Sequence, residues 1–136
     1  MTFDELIQTA LKQRESARAD FSNFRVGAVL LTIEDRLFTG CNIEISSFGL
    51  TICAERVAVF KAISEGLRDF KTIFIASDST KITPPCGACR QVLWELAGDI
   101  EVIMINCHAS YQKAKMSDLL PHSFDRSFLI KNKENI

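Results

Sequence analysis

A chain of 136 residues with 47% hydrophobic residues can bury one sizeable core, and it is read as a single domain spanning 1–136. Its 16 basic and 17 acidic residues leave a net charge of -1, so no positive field exists to hold a phosphate backbone and nucleic acid is excluded as a partner. The N-terminus MTFDELIQTALKQRE lacks the basic start and apolar stretch of a secretory leader, and no apolar run reaches membrane-spanning length, so a soluble cytoplasmic protein with no membrane partner is expected.

Along the chain, Phe3, Leu6, Ile7, Ala10 and Leu11 recur at spacings of three and four, which predicts an amphipathic helix over 3–18. The β-branched run from Arg25 to Ile33, a break at Glu34-Asp35, and the stretch Arg36 to Ile43 predict a hairpin. After the loop EISSFGL, Thr51 to Glu65 spaces Ile52, Val59 and Ile63 among alanines and stops at Gly66, a second helix. Lys71 to Ala76 reads as a buried strand, Pro84-Pro85 ends a loop, and Cys86 to Ala97 reads as a helix closed by Gly98. Ile100 to Asn106 is a further strand. The remainder carries weaker signals and a polar tail, from about 126 to 136, expected to be disordered. Strands separated by helices are usually parallel neighbours, so this order predicts an α/β fold, a three-layer α/β/α sandwich around a mixed sheet.

Five cysteines, two of them spaced as Cys86-x-x-Cys89, suit thiolate chemistry in a reducing compartment better than a disulfide framework. Cys53 and the Cys86/Cys89 pair each fall at the predicted start of a helix, where N–H groups and partial positive charge lower thiol pKa and favour anions. Three thiolates converging there would hold Zn2+ with its fourth position open, which is how catalytic zinc differs from structural zinc. Taken singly the pieces say little: a Cys-x-x-Cys can be a redox pair or half a finger, and a lone Cys53 a small core residue. A finger needs further ligands, yet Cys41 and Cys107 lie singly in predicted strands, as core, and His108 and His122 lack finger spacing. Glu55 stands two residues beyond Cys53, and the pattern Cys-x-Glu followed by Pro-Cys-x-x-Cys is that of the zinc-dependent deaminases. A carboxylate so placed takes the proton of an attacking water, carries it to ring N3 and later serves the departing amine. Arg56, next in sequence, is expected to donate to the cysteine thiolates. It offsets the formal -1 charge of a zinc ion bearing three of them.

FSNFRVGAVL, TGCNIE, TICAERVAVFKAISEG and PCGACRQVL together resemble the small cytidine deaminases of nucleoside salvage, over a stretch from about Phe3 to near Phe124. The resemblance implies the cytidine deaminase-like form of the sandwich, with a mixed five-stranded sheet. It implies hydrolysis of cytidine or deoxycytidine to uridine or deoxyuridine and ammonia. It also implies that Asn42 and Glu44 hydrogen-bond the ribose, that Phe24 packs against the nucleoside, and that backbone groups around Ala54 read the pyrimidine edge. A homotetramer is implied too, with Phe124 reaching a neighbouring pocket. The family usually follows its Asn-x-Glu with Asn, small residues and often Tyr, where this chain has Ile45, Ser46, Ser47 and Phe48. In tetrameric relatives that loop reaches a neighbour's site, so the change bears on sugar or base preference. Competing readings are an aminohydrolase acting on a modified nucleoside such as blasticidin S, and a non-catalytic zinc-binding module, which needs neither Glu55 nor an open position. Editing of DNA or RNA would need basic grooves and stacking aromatics, whereas this chain has one Trp, one Tyr and balanced charge.

Overall fold

The computed structural model describes residues 1–130. Helix α1 spans Phe3–Gln13, capped where the Thr2 side chain accepts from the Glu5 N–H, and it buries Leu6, Ile7, Ala10 and Leu11. It stops short of the expected residue 18. A 3-10 turn at Arg14–Ser16 leads into extended Ala17, and the Arg18 N–H then donates to the Asn42 carbonyl at 2.9 Å. Strands β1 (Val26–Thr32) and β2 (Leu37–Cys41) form the expected hairpin. Helix α2 runs over Ala54–Ser64, β3 over Phe70–Ser77, α3 over Gly87–Ala97 and β4 over Glu101–Ile105. Gly66 and Gly98, where these helices were expected to stop, take positive φ of 91° and 77°, a conformation glycine adopts without strain.

The weak C-terminal signals conceal two elements. β5 (Tyr111–Lys115) pairs antiparallel with β4, and α4 (Met116–Leu119) follows. β5 is an edge strand whose residues are almost all exposed, so it has no apolar pattern to read, and its lysines discourage pairing with another chain. The expected tail opens with a 3-10 turn at Arg126–Phe128, and residues 131–136 lie outside the described residues.

The five strands lie in the order β2-β1-β3-β4-β5. Only β3 and β4 pair in parallel; β1 lies antiparallel to both β2 and β3, so the mixed sheet is mostly antiparallel. One apolar core joins α1 to Val29, Leu31, Phe74, Ile103 and Ile105. The other, on the opposite face, joins α2 and α3 to Leu30, Ile73, Ile75 and Val102, which completes the three layers.

Two glycines bring helices unusually close to the sheet. A Cβ on Gly27 would lie 2.2 Å from the Ala10 carbonyl oxygen in α1, and one on Gly40 would lie 2.3 Å from that of Ala54 in α2. Gly40 therefore sets how deeply the first turn of α2 sits against the sheet.

Candidate active site

α2 and α3 begin side by side, each with a cysteine at its N-cap. Cys53 (φ -80°, ψ 155°) and Cys86 (φ -65°, ψ 163°) take extended backbone there, and neither makes the side-chain capping bond that Ser or Asp would supply. Residues 51–53 are extended rather than helical, because Ile52 exchanges both backbone hydrogen bonds with Ile43 at 3.0 Å. That pairing delays the helix until Ala54 and leaves Cys53 at its mouth. Cys89 follows one turn into α3 and is fully buried.

The sulfurs of Cys53, Cys86 and Cys89 lie within 4.8 Å of one another, those of Cys53 and Cys86 at 3.8 Å. Among the described residues no other cluster of three His, Cys, Asp or Glu side chains has this spacing. The Arg56 guanidinium donates through Nη2 to the Cys53 sulfur at 3.4 Å, while its buried Nε has no partner. Three soft donors with a cation beside them suit zinc, and an open Nε fits a second acceptor in the same cluster. The Cys53 thiol is pushed down to about 5, first by the hydrogen bond from Cys89, then, against the opposing effect of burial, by those from Arg56 and Cys86. Cys89 is held well above the ordinary thiol range, first by its hydrogen bond to Cys53 and then by burial. Glu55, in the first turn of α2, is 4% exposed, and burial pushes its carboxyl up to about 7, with the Cys53 charge adding to the effect.

A cleft of about 270 Å³ opens onto this cluster. Cys53, Cys86, Ala54 and Glu55 line it, together with Phe24, Asn42 and Glu44. All seven were singled out in the sequence, Ala54, Phe24, Asn42 and Glu44 by resemblance. Asn42 is largely committed to the chain itself: its Oδ1 accepts from Val26 N–H at 2.9 Å and its Nδ2 donates to the Phe24 carbonyl at 2.8 Å. Ser22, Ser77 and Thr83 also line the cleft, the last two joined hydroxyl to hydroxyl at 2.9 Å. No local motif marks them. Phe124 is absent from the cleft lining; it stacks on Phe128, and Gln91 donates to its carbonyl at 2.6 Å. Phe48 sits outside too, edge-on to Phe21 at 5.3 Å. Cys41 is buried in β2 as expected, but Cys107 lies half-buried in the turn after β4, outside any strand.

Comparison with known proteins agrees with this arrangement. Residues 2–106 match the family model described as the cytidine and deoxycytidylate deaminase zinc-binding region. The chain is 47% identical over 120 residues to a cytidine deaminase of Halalkalibacterium halodurans, covering 88% of this chain and 91% of that one. It is 45% identical over 132 residues to a probable cytidine deaminase of Dictyostelium discoideum, covering 96% and 89%. The crystal structure of a cytidine deaminase from Burkholderia pseudomallei superposes with a TM-score of 0.88 at 42% identity, over 91% of this chain and all of that one. A blasticidin-S deaminase of Bacillus cereus is more distant, at 28% identity over 131 residues, 90% of this chain and 92% of that one.

Proposed function

This chain belongs to the cytidine and deoxycytidylate deaminase family, and from that premise we propose how its residues divide the work of converting cytidine and water to uridine and ammonia. The protein is a zinc-dependent hydrolase that deaminates cytidine. The observation that carries the assignment of roles is the buried Glu55, set in one cleft with three clustered cysteine sulfurs.

Cys53, Cys86 and Cys89 would hold the zinc, which when bound would supply Lewis acidity toward water. Glu55 accepts the proton of the attacking water and passes it to ring N3. It then takes the remaining proton from the hydroxyl now on C4 and delivers it to the amine, so that ammonia leaves and the water oxygen stays as the carbonyl of uridine. A carboxyl lifted toward neutrality by burial is suited to both halves of that exchange. Arg56 donates to the Cys53 sulfur and relieves the excess negative charge of three thiolates. In the same cleft Phe24 packs on the nucleoside, backbone groups around Ala54 meet the pyrimidine edge, and Asn42 and Glu44 read the sugar.

Deoxycytidine is an equivalent substrate in this reading, and the reaction serves pyrimidine salvage in the cytoplasm. The net charge of -1 is consistent with a free nucleoside rather than a nucleic acid. Among the described residues no helix is long and apolar enough to cross a membrane. A homotetramer would cover Phe48, Leu50, Phe128 and Leu129, each about 70% exposed.

Purified protein assayed for ultraviolet loss and ammonia release on cytidine, deoxycytidine, cytosine, adenosine and blasticidin S tests this reading. Cytidine and deoxycytidine should lead the panel, and one zinc per chain should accompany the activity. Preference for blasticidin S would transfer the chain to the modified-nucleoside reading, and turnover without zinc would remove the cysteine assignment.

A further inference from the structure

The Glu44 carboxylate is nearly saturated by its own chain. The Phe21 and Ser22 N–H groups both donate to Oε1 at 2.9 Å, and the Ser22 hydroxyl donates to Oε2. Asn42 Nδ2 approaches Oε2 at 3.5 Å, a weak contact. A carboxylate offers about four acceptor positions, so three are firmly filled and one is loosely held. The loosely held position is where a sugar hydroxyl can enter.

The Ser22 hydroxyl does a second job. Its proton is committed to Glu44, and its oxygen accepts the Phe24 N–H at 3.0 Å. The Phe24 carbonyl is held in turn by Asn42 at 2.8 Å. Phe24, Asn42 and Glu44 are thereby tied together through one hydroxyl and the Phe24 peptide, across a turn whose middle residue, Asn23, sits at φ 55°. That left-handed position is uncommon for a residue with a side chain and requires local bonds to hold it. The hydrogen bonds from Ser22 also keep the Glu44 carboxyl below the usual carboxylate range, hence ionised and accepting.

We infer that Ser22 is a positioning residue for nucleoside binding, which aims the Glu44 carboxylate and fixes the Phe24 peptide with a single hydroxyl. The inference rests on the reading of Glu44 as the sugar contact. The link spans 22 residues and has no counterpart in the metal-and-glutamate motif.

Steady-state kinetics of Ser22→Ala, Ser22→Thr, Glu44→Gln and the Ser22→Ala/Glu44→Gln double variant test it. Loss of a hydrogen bond that acts on the substrate only through Glu44 and Phe24, worth about as much as an ordinary one, should raise KM for cytidine about 3–15-fold in Ser22→Ala, with kcat and zinc content within about 2-fold of the parent. Ser22→Thr, which keeps the hydroxyl, should recover most of the loss. In the Glu44→Gln background, Ser22→Ala should add less than it does alone, because the charge-assisted bond is already lost and chiefly the contact to the Phe24 N–H remains to be removed. An unmoved KM in Ser22→Ala overturns the proposal, as does full additivity with Glu44→Gln, or a fall in kcat with KM unchanged. Should Ser22→Ala fail to fold, Ser22→Thr decides: a KM raised as far as that of Glu44→Gln overturns the role of the hydroxyl. The underlying reading fails separately, if the parent enzyme handles free cytosine as efficiently as cytidine.

Discussion

Replacing Gly40 with alanine puts a methyl group where the backbone of α2 already stands. The new Cβ would lie 2.3 Å from the Ala54 carbonyl oxygen and 2.7 Å from the Ala58 nitrogen, both backbone atoms that no rotamer change can move. Restoring ordinary contact drives α2 away from the sheet by about 1 Å, an overpacking that costs about 1–3 kcal/mol. For a chain of this length that corresponds to a Tm lower by roughly 3–12 °C. Ala54 lies between Cys53 and Glu55, so the same shift lands on the reacting groups, where a displacement of about 1 Å can reduce rate by ~10²-fold. Gly27→Ala is the matched control. Its Cβ would lie 2.2 Å from the Ala10 carbonyl oxygen, an equal clash aimed at α1 on the opposite face. Thermal melts, zinc content and kcat/KM for cytidine should show similar losses of Tm in the two variants but a loss of turnover concentrated in Gly40→Ala. Equal losses of turnover would mean that activity simply follows stability, and an unaffected Gly40→Ala would refute the claim that this contact sets the position of Cys53 and Glu55.

Cys86→Ala and Cys89→Ala should each lose zinc and activity together, read by metal analysis beside turnover; full metal retention in both would remove the ligand assignment. Glu55→Gln should keep zinc and fold while losing ~10²–10⁴ in kcat, and a rate within a few fold of the parent would reject its proton-transfer role. Arg56→Gln should weaken zinc retention or slow turnover by ~10–100-fold, an effect eased when Cys53 is also replaced by histidine, a neutral ligand. Asp78 accepts from Arg14 and from the backbone and guanidinium of Arg25, and these bonds and charges outweigh burial to hold its carboxyl below 3.8. Its contribution is therefore present above 3.8 and lost as pH falls through the lower folded value. Asp78→Asn should lower Tm at pH 7, with the gap to the parent closing under acid titration; a gap constant with pH would show that charge is not its source.

The candidate site was legible in the sequence because its residues are local. Cys53, Glu55 and Arg56 occupy one turn of helix and Cys86 and Cys89 another, so the fold only has to bring two helix starts together. Helix and strand patterns located most elements for the same reason, since their apolar residues face one of two cores. What escaped depends on partners distant in sequence. Ile52 fits a helical spacing equally well, and only its pairing with Ile43 keeps it extended. β5 is recognised by its hydrogen bonds to β4 and by nothing in its exposed sequence. Ser22 looks like any loop serine until the turn carrying it folds onto Glu44.

The same locality explains why the site is poorly designed for stability. A Ser or Asp at each N-cap would satisfy a free backbone N–H and add about 1 kcal/mol per helix, yet Cys53 and Cys86 occupy those positions without a capping bond. Glu55 is buried where a carboxylate is disfavoured, and Arg56 keeps a buried Nε without a partner. Each defect points toward the same small volume, and a cation held among the three sulfurs would keep them as thiolates, which accept from the helix N-termini and from the guanidinium. Stability and metal occupancy should therefore be coupled through the first turns of α2 and α3, where Ala54 also packs into the core against the sheet.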